Sequence, residues 1–492
     1  MKKKNFNKTS KVSNKSTLEQ HKVKKGLIQP PLNTIPNMIP TSWHKDRLPE
    51  YLWLGLILIA YEDRTKGIET VGKILKGIAE INKELLRPRL SDIFALDDDL
   101  QEEIYSMVCD IVNYEILSPL TVIYRDKDYN VFNKYFYDEK QTVKDKLQTL
   151  SDAIKIYYDH QSHESTDLRF CALSLMVFQR KMTITPAMDH IKDTFMNYPY
   201  TPHKEEIMKS YRPTIRSMEI SDMVISPNKD FLNNFWKEVA MKIECEPKAF
   251  NYNASELDYK DIINRFDKTL HYINIMNKEK CIFEEKYDVI MGSTSYILKI
   301  FNEIVSNNLG NGILGRNALR TIIEVYIMIK YLLKVENEEP NIWKMYKVYG
   351  IGKYKLPLLK EREEKVSGSP HFFSAHIDAL INEDQFEEFL DVDTKYFDKK
   401  TIKSKFEEVD EYDLYHLSYE YDTNFVHGFW GAVRESSMYQ CQKASHQYHL
   451  VPDINLELNL PDVKEDMINV LEKLMLIICD IYQVPKEILE DR

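Results

Sequence analysis

Apolar residues recur at three- and four-residue intervals over most of this chain, the spacing of one face of a helix. Strict polar–apolar alternation is confined to one short stretch, Asn455–Leu460. The first ordered element is predicted near Ser42, with Asp46 as the capping residue of a helix whose first turn holds Pro49 and Glu50. Leu52–Ile59 is apolar on every side, which predicts a central, fully packed helix. A second helix is predicted over 67–86, with Ile68, Val71, Ile74, Leu75, Ile78 and Ile81 at helical spacing. Further helices are predicted near 98–117, 141–160, 165–182, 186–198, 203–219 and 229–243. The segment 245–256 reads as a boundary. Long helices follow at about 257–280, 284–308 and 313–334. A mixed polar segment runs from Glu336 to Lys405, with a loop at Ser367-Gly368-Ser369-Pro370. A helix over 406–437 and a last one over 462–482 complete the chain, the latter striped by Met467, Val470, Leu471, Leu474, Ile478 and Ile481. The pattern predicts an all-α protein. It comprises a disordered Lys- and Pro-rich tail (1–40), an N-terminal helical domain (41–250) and a C-terminal helical bundle (251–492).

Composition sharpens this picture. The chain has 492 residues, beyond the size of one compact core, and only 14 glycines, too few for a strand-and-turn architecture. The formal net charge is −11, although residues 1–25 carry nine lysines, so the remainder is more acidic than the total. That balance disfavours a dedicated nucleic-acid coat and leaves room for a local basic cleft. The six cysteines (Cys109, Cys171, Cys245, Cys281, Cys441 and Cys479) are scattered, with no Cys-x-x-Cys pair. This excludes a zinc-ribbon framework and points to a reducing, cytoplasmic setting. The longest apolar run, Leu52–Tyr61, is about half of what spans a bilayer, so no membrane partner is expected.

Two segments carry chemistry. In Tyr415–Gly428, read as helix, His416, Glu420, Asn424 and His427 fall on one face. In the apolar run around 316–329, Arg320 and Glu324 stand four apart, and a buried charged pair needs polar partners from another helix. His416, Glu420 and His427 offer a partial metal shell. No His-Glu-x-x-His signature accompanies them, so neither a metal nor a cofactor is expected. Arg265 and His271 match an Arg-to-His spacing that chance alone supplies about once in a chain of this composition.

With those residues in view, the C-terminal half resembles a bacterial family of unknown function. That family has an Arg-x-x-x-Glu helix followed by a Tyr-x-x-Ser…His segment, matched here by Arg320 and Glu324, then Tyr415, Ser418 and His427. Its all-helical layout and Arg/His pairing are similar, distantly, to HEPN-type domains. The difference is that Arg320 and His427 lie in separate segments. The resemblance implies a phage-defence or toxin effector that cleaves RNA without a metal, with a homodimer built around the cleft. His427 would be the acid or base and Arg320 the phosphate-neutralising cation. Glu324 would orient Arg320, and Asn424 and His416 would position substrate or share proton transfer. The alternative is a non-enzymatic helical scaffold or sensor that binds a protein or small ligand, its Arg320–Glu324–His427 cluster a structural network.

Overall fold

The computed structural model describes residues 20–30, 41–182, 189–221, 227–249, 252, 259–277, 279–280, 284–364, 371–383, 386–391, 396–458 and 460–490. Helices dominate it, and the fold is all-α with two small sheets. The chain divides into two compact units. The first is Met1–Glu246 together with Cys441–His449; the second is Pro247–Gln440 together with Leu450–Arg492.

Within the expected tail, residues 20–30 form a hairpin, Lys22–Lys24 against Leu27–Gln29. Lys25 and Gly26 turn it with φ of 51° and 78°, the left-handed pair that matches strand twist. The rest of the expected disordered tail lies outside the described residues, as does the Ser367–Pro370 loop.

The first unit is built around Leu48–Ile59, buried from Leu48 through Ile57 as its unbroken apolar run predicts. Its cap differs from expectation. Ser42 caps a short preceding helix, Trp43–Asp46, and the Asp46 carboxylate folds back to accept from the Ser42 N–H at 2.7 Å. Helices Arg64–Ile81, Asp98–Ile111, Val143–Tyr158 and His163–Phe178 complete the inner shell. Asp98–Ile111 stops short of the predicted 98–117 because Val112 turns extended and two 3-10 turns follow, the second with Pro119 in its first turn. Gly55 is required where Tyr157 crosses: a Cβ there would lie 2.7 Å from the Tyr157 ring, whose hydroxyl donates to the Gly55 carbonyl at 3.0 Å.

Charged residues tie this core together. The Arg64 guanidinium donates to both Asp167 oxygens at 2.8–3.1 Å and to the carbonyls of Tyr198, Pro199 and Thr201. Burial alone would raise the Asp167 pKa. Hydrogen bonds from His203, Arg64 and Tyr198 outweigh it and hold the carboxyl below its ordinary value.

The second unit centres on Ile313–Val335, which packs against Glu285–Ser306, Glu420–Val426 and Lys464–Ile481. Ile322, Ile323, Ile327 and Leu332 are fully buried in its core. The expected single helix over 406–437 is instead a broken succession. It runs Ile402–Glu408, a left-handed Asp410 (φ 63°), Tyr412–Leu414, a π-helical turn Tyr415–Tyr419, Glu420–Val426, a left-handed Gly428 (φ 60°), and Trp430–Ser437. Strands Met438–Cys441 and Leu450–Pro452 pair antiparallel, with Pro247–Lys248 alongside. Asn455–Leu458, where alternation suggested a strand, carries none.

Candidate functional site

The polar cluster expected around Arg320 exists, with different partners from those predicted. Arg320 and Glu324 pair at 2.9 Å across one helical turn. The Arg320 Nε donates to Thr423 Oγ1 at 3.1 Å, and its Nη2 donates to the Tyr419 hydroxyl at 2.6 Å. The guanidinium also lies 4.5 Å from the Tyr419 ring centroid. Glu324 in turn accepts from Tyr419 at 3.4 Å and from Tyr396 at 3.3 Å. Burial and the Glu324 charge push the Tyr396 hydroxyl up to about 12. Thr423 closes the ring by donating to the Tyr419 carbonyl at 2.6 Å.

The residues that meet Arg320 are therefore Tyr419 and Thr423, one position away from the face that sequence spacing selected. A π-helical turn, Tyr415–Tyr419, lies in this segment, and the face that meets the Ile313–Val335 helix is the Tyr419–Thr423 one. His416 and Glu420 do pair, at 2.7 Å, but on their own side of the segment. Asn424 spends its amide on the carbonyls of Glu420 and Tyr421. His427 is the exposed residue just after the Glu420–Val426 helix and stacks on Phe429 with ring centroids 5.4 Å apart. It is not among the partners of Arg320.

Beside this ring lies a second, buried group that the sequence reading passed over. Arg316 is 2% exposed and donates through Nη2 to the Pro461 carbonyl at 2.7 Å, while its Nε and Nη1 have no hydrogen-bond partner. Asp422, also 2% exposed, has an unpartnered Oδ2. Burial pushes the Asp422 carboxyl up to about 7, against the pull of Arg316 and with the push of Asp466. The available signal was Arg316 itself, a cation inside the apolar run. On and just before the Trp430–Ser437 helix, Tyr421, Val426, Phe429, Trp430 and Val433 are each exposed, Trp430 at 63%.

A third group belongs to the first unit and was also passed over: Cys245, Cys441, His446 and His449, whose donor atoms lie within 4.8 Å of one another. Its signal in the sequence is the close run Cys441-x-x-x-x-His446-x-x-His449, with the fourth member far upstream.

Among the described residues, no helix is long and apolar enough to cross a membrane. Compared with known protein families, residues 287–439 match a family of unknown function (DUF5677). That stretch holds Arg320, Glu324, Tyr415, Ser418 and His427. Searches of curated proteins and of solved structures returned no match.

Proposed function

We propose that the second unit is a non-enzymatic helical binding module whose ligand is a protein. The observation that carries this reading is the engagement of Arg320 within the protein. Each nitrogen of its guanidinium makes a hydrogen bond within the protein, to Glu324, Tyr419 or Thr423, so three of its five donors and its charge are already committed. A cation so placed fixes one helix segment against another. The segment it fixes is Tyr415–Val426, which leads directly into the exposed Phe429, Trp430 and Val433. Apolar and aromatic side chains gathered on a surface are the composition of a protein-docking patch. His427 stacks on Phe429, and in this reading it belongs to the binding face.

RNA cleavage is the rival outcome. It needs His427 or His416 to reach a ribose hydroxyl beside a free cation. Arg320 is occupied, and the His416 Nε2 is covered and without a partner.

The two readings separate on paired variants. Arg320→Ala removes the cation shared by Glu324, Tyr419 and Thr423 and should lower stability by about 1–3 kcal/mol in thermal or urea unfolding. Trp430→Ala and His427→Ala should leave the melting temperature within about a degree of wild type. A photocrosslinker at residue 430 in expressing cells should then capture one saturable protein partner, lost on His427→Ala. Fragmentation of cellular RNA by the wild-type chain, absent in a stably folded His427→Ala, would replace the binding reading with the nuclease one.

A further inference from the structure

We propose that Cys245, Cys441, His446 and His449 hold one zinc ion in a closed, tetrahedral, structural site within the first unit. The four donor atoms converge within 4.8 Å. Cys245 Sγ lies 3.2 Å from His449 Nε2, and His446 Nδ1 lies 3.4 Å from the same nitrogen. Tetrahedral zinc with ordinary Zn–S and Zn–N bonds sets its ligand atoms about 3.4 Å apart for two nitrogens and about 3.6 Å for sulphur and nitrogen. Those two pairs already stand near that spacing, and the remaining pairs lie within 4.8 Å. Two thiolates and two imidazoles also form a neutral shell with zinc, and this donor set at tetrahedral spacing favours zinc over harder cations.

The surrounding groups are arranged as a metal site requires. His446 Nε2 donates to the Ile243 carbonyl at 2.8 Å, which leaves Nδ1 unprotonated and turned to the cluster. The Lys443 N–H approaches Cys441 Sγ at 3.5 Å. Cys441 and His446 are buried, whereas Cys245 and His449 sit at the rim, where an ion can enter. The loop between the histidines is strained: Gln447 and Tyr448 are consecutive non-glycine residues in the left-handed region, φ 54° and 51°. Such backbone persists only where its surroundings fix it, and an ion bound by residues on both sides does so. Four protein ligands leave no open position, so the site is structural and not hydrolytic. Its effect is to fasten the 441–449 loop to the residue that follows the Lys229–Lys242 helix by two positions beyond Ile243.

The test is metal analysis of the full, untagged chain purified under reducing conditions without chelator. The expected zinc content is about one per chain, falling to near zero in Cys441→Ser and His449→Asn. Because a ligand variant can fail to fold, the wild-type chain is also reconstituted with cobalt. An intense visible band of tetrahedral cobalt, with a thiolate charge-transfer band in the near ultraviolet, is expected. Both should disappear on adding excess zinc. Absence of stoichiometric zinc together with absence of those cobalt bands overturns the proposal. So does recovery of Cys245 and Cys441 as a disulfide-linked peptide pair from the reduced preparation.

Discussion

Asp422 shows how one buried side chain sets a pH dependence. Its folded-state pKa of about 7 stands above the ordinary 3.8, so the native state holds the proton more tightly than the unfolded chain. The stability tied to that proton is complete below about pH 4, is lost as pH rises through 7, and changes no further above it. The charged form costs on the order of 2–4 kcal/mol. Asp422→Asn should therefore raise the melting temperature at pH 8, with the gain shrinking toward zero by pH 4. A variant less stable than wild type at pH 8 would mean that the carboxylate is held by Arg316 after all. Arg320 stands at the opposite extreme, a charge with a partner at each of its three guanidinium nitrogens. These two residues, on helices packed against each other, show why burial alone does not identify a site; whether the polar atoms find partners distinguishes them.

At the scale of elements, the long helices were legible because burial enforces periodicity. The all-apolar Leu52–Ile57 run became the central helix, and the stripe Met467, Val470, Leu471, Leu474 and Ile478 is buried as spaced. What escaped was the interruption of a pattern. Tyr415–Tyr419 reads as ordinary helix in sequence but forms a π turn, and the face turned to Arg320 carries Tyr419 and Thr423. Arg320 and Glu324 were legible because charges in an apolar run demand partners; which partners was not. The Cys245 cluster was illegible for another reason, since 195 positions separate its first ligand from the next. Helix starts give a direct test of close packing. A Cβ on Gly315 would lie 2.6 Å from the Leu309 carbonyl oxygen and 2.8 Å from that of Gly310, both backbone atoms that cannot swing aside. Gly315→Ala should cost about 1–3 kcal/mol by urea unfolding, despite the higher helix propensity of alanine. A neutral or stabilising result would mean that the 309–312 turn moves freely.

At the scale of the molecule, the two units keep separate hydrophobic cores, one around Leu52, Ile74 and Leu168, the other around Ile322, Phe301 and Leu471. Calorimetry should resolve more than one unfolding transition, with the measured enthalpy exceeding the van't Hoff value. Zinc removal should lower the transition of the first unit and leave that of the second in place; an equal shift of both would show that they unfold as one. The path of the chain has a further consequence during synthesis. Cys441–His449 belongs to the first unit, yet the ribosome makes it some two hundred residues after Glu246. The first unit must therefore wait, incomplete, while most of the second emerges. A nascent chain stalled anywhere in that interval presents an open surface where the loop has yet to arrive, and this is the window in which chaperones and proteases would meet it.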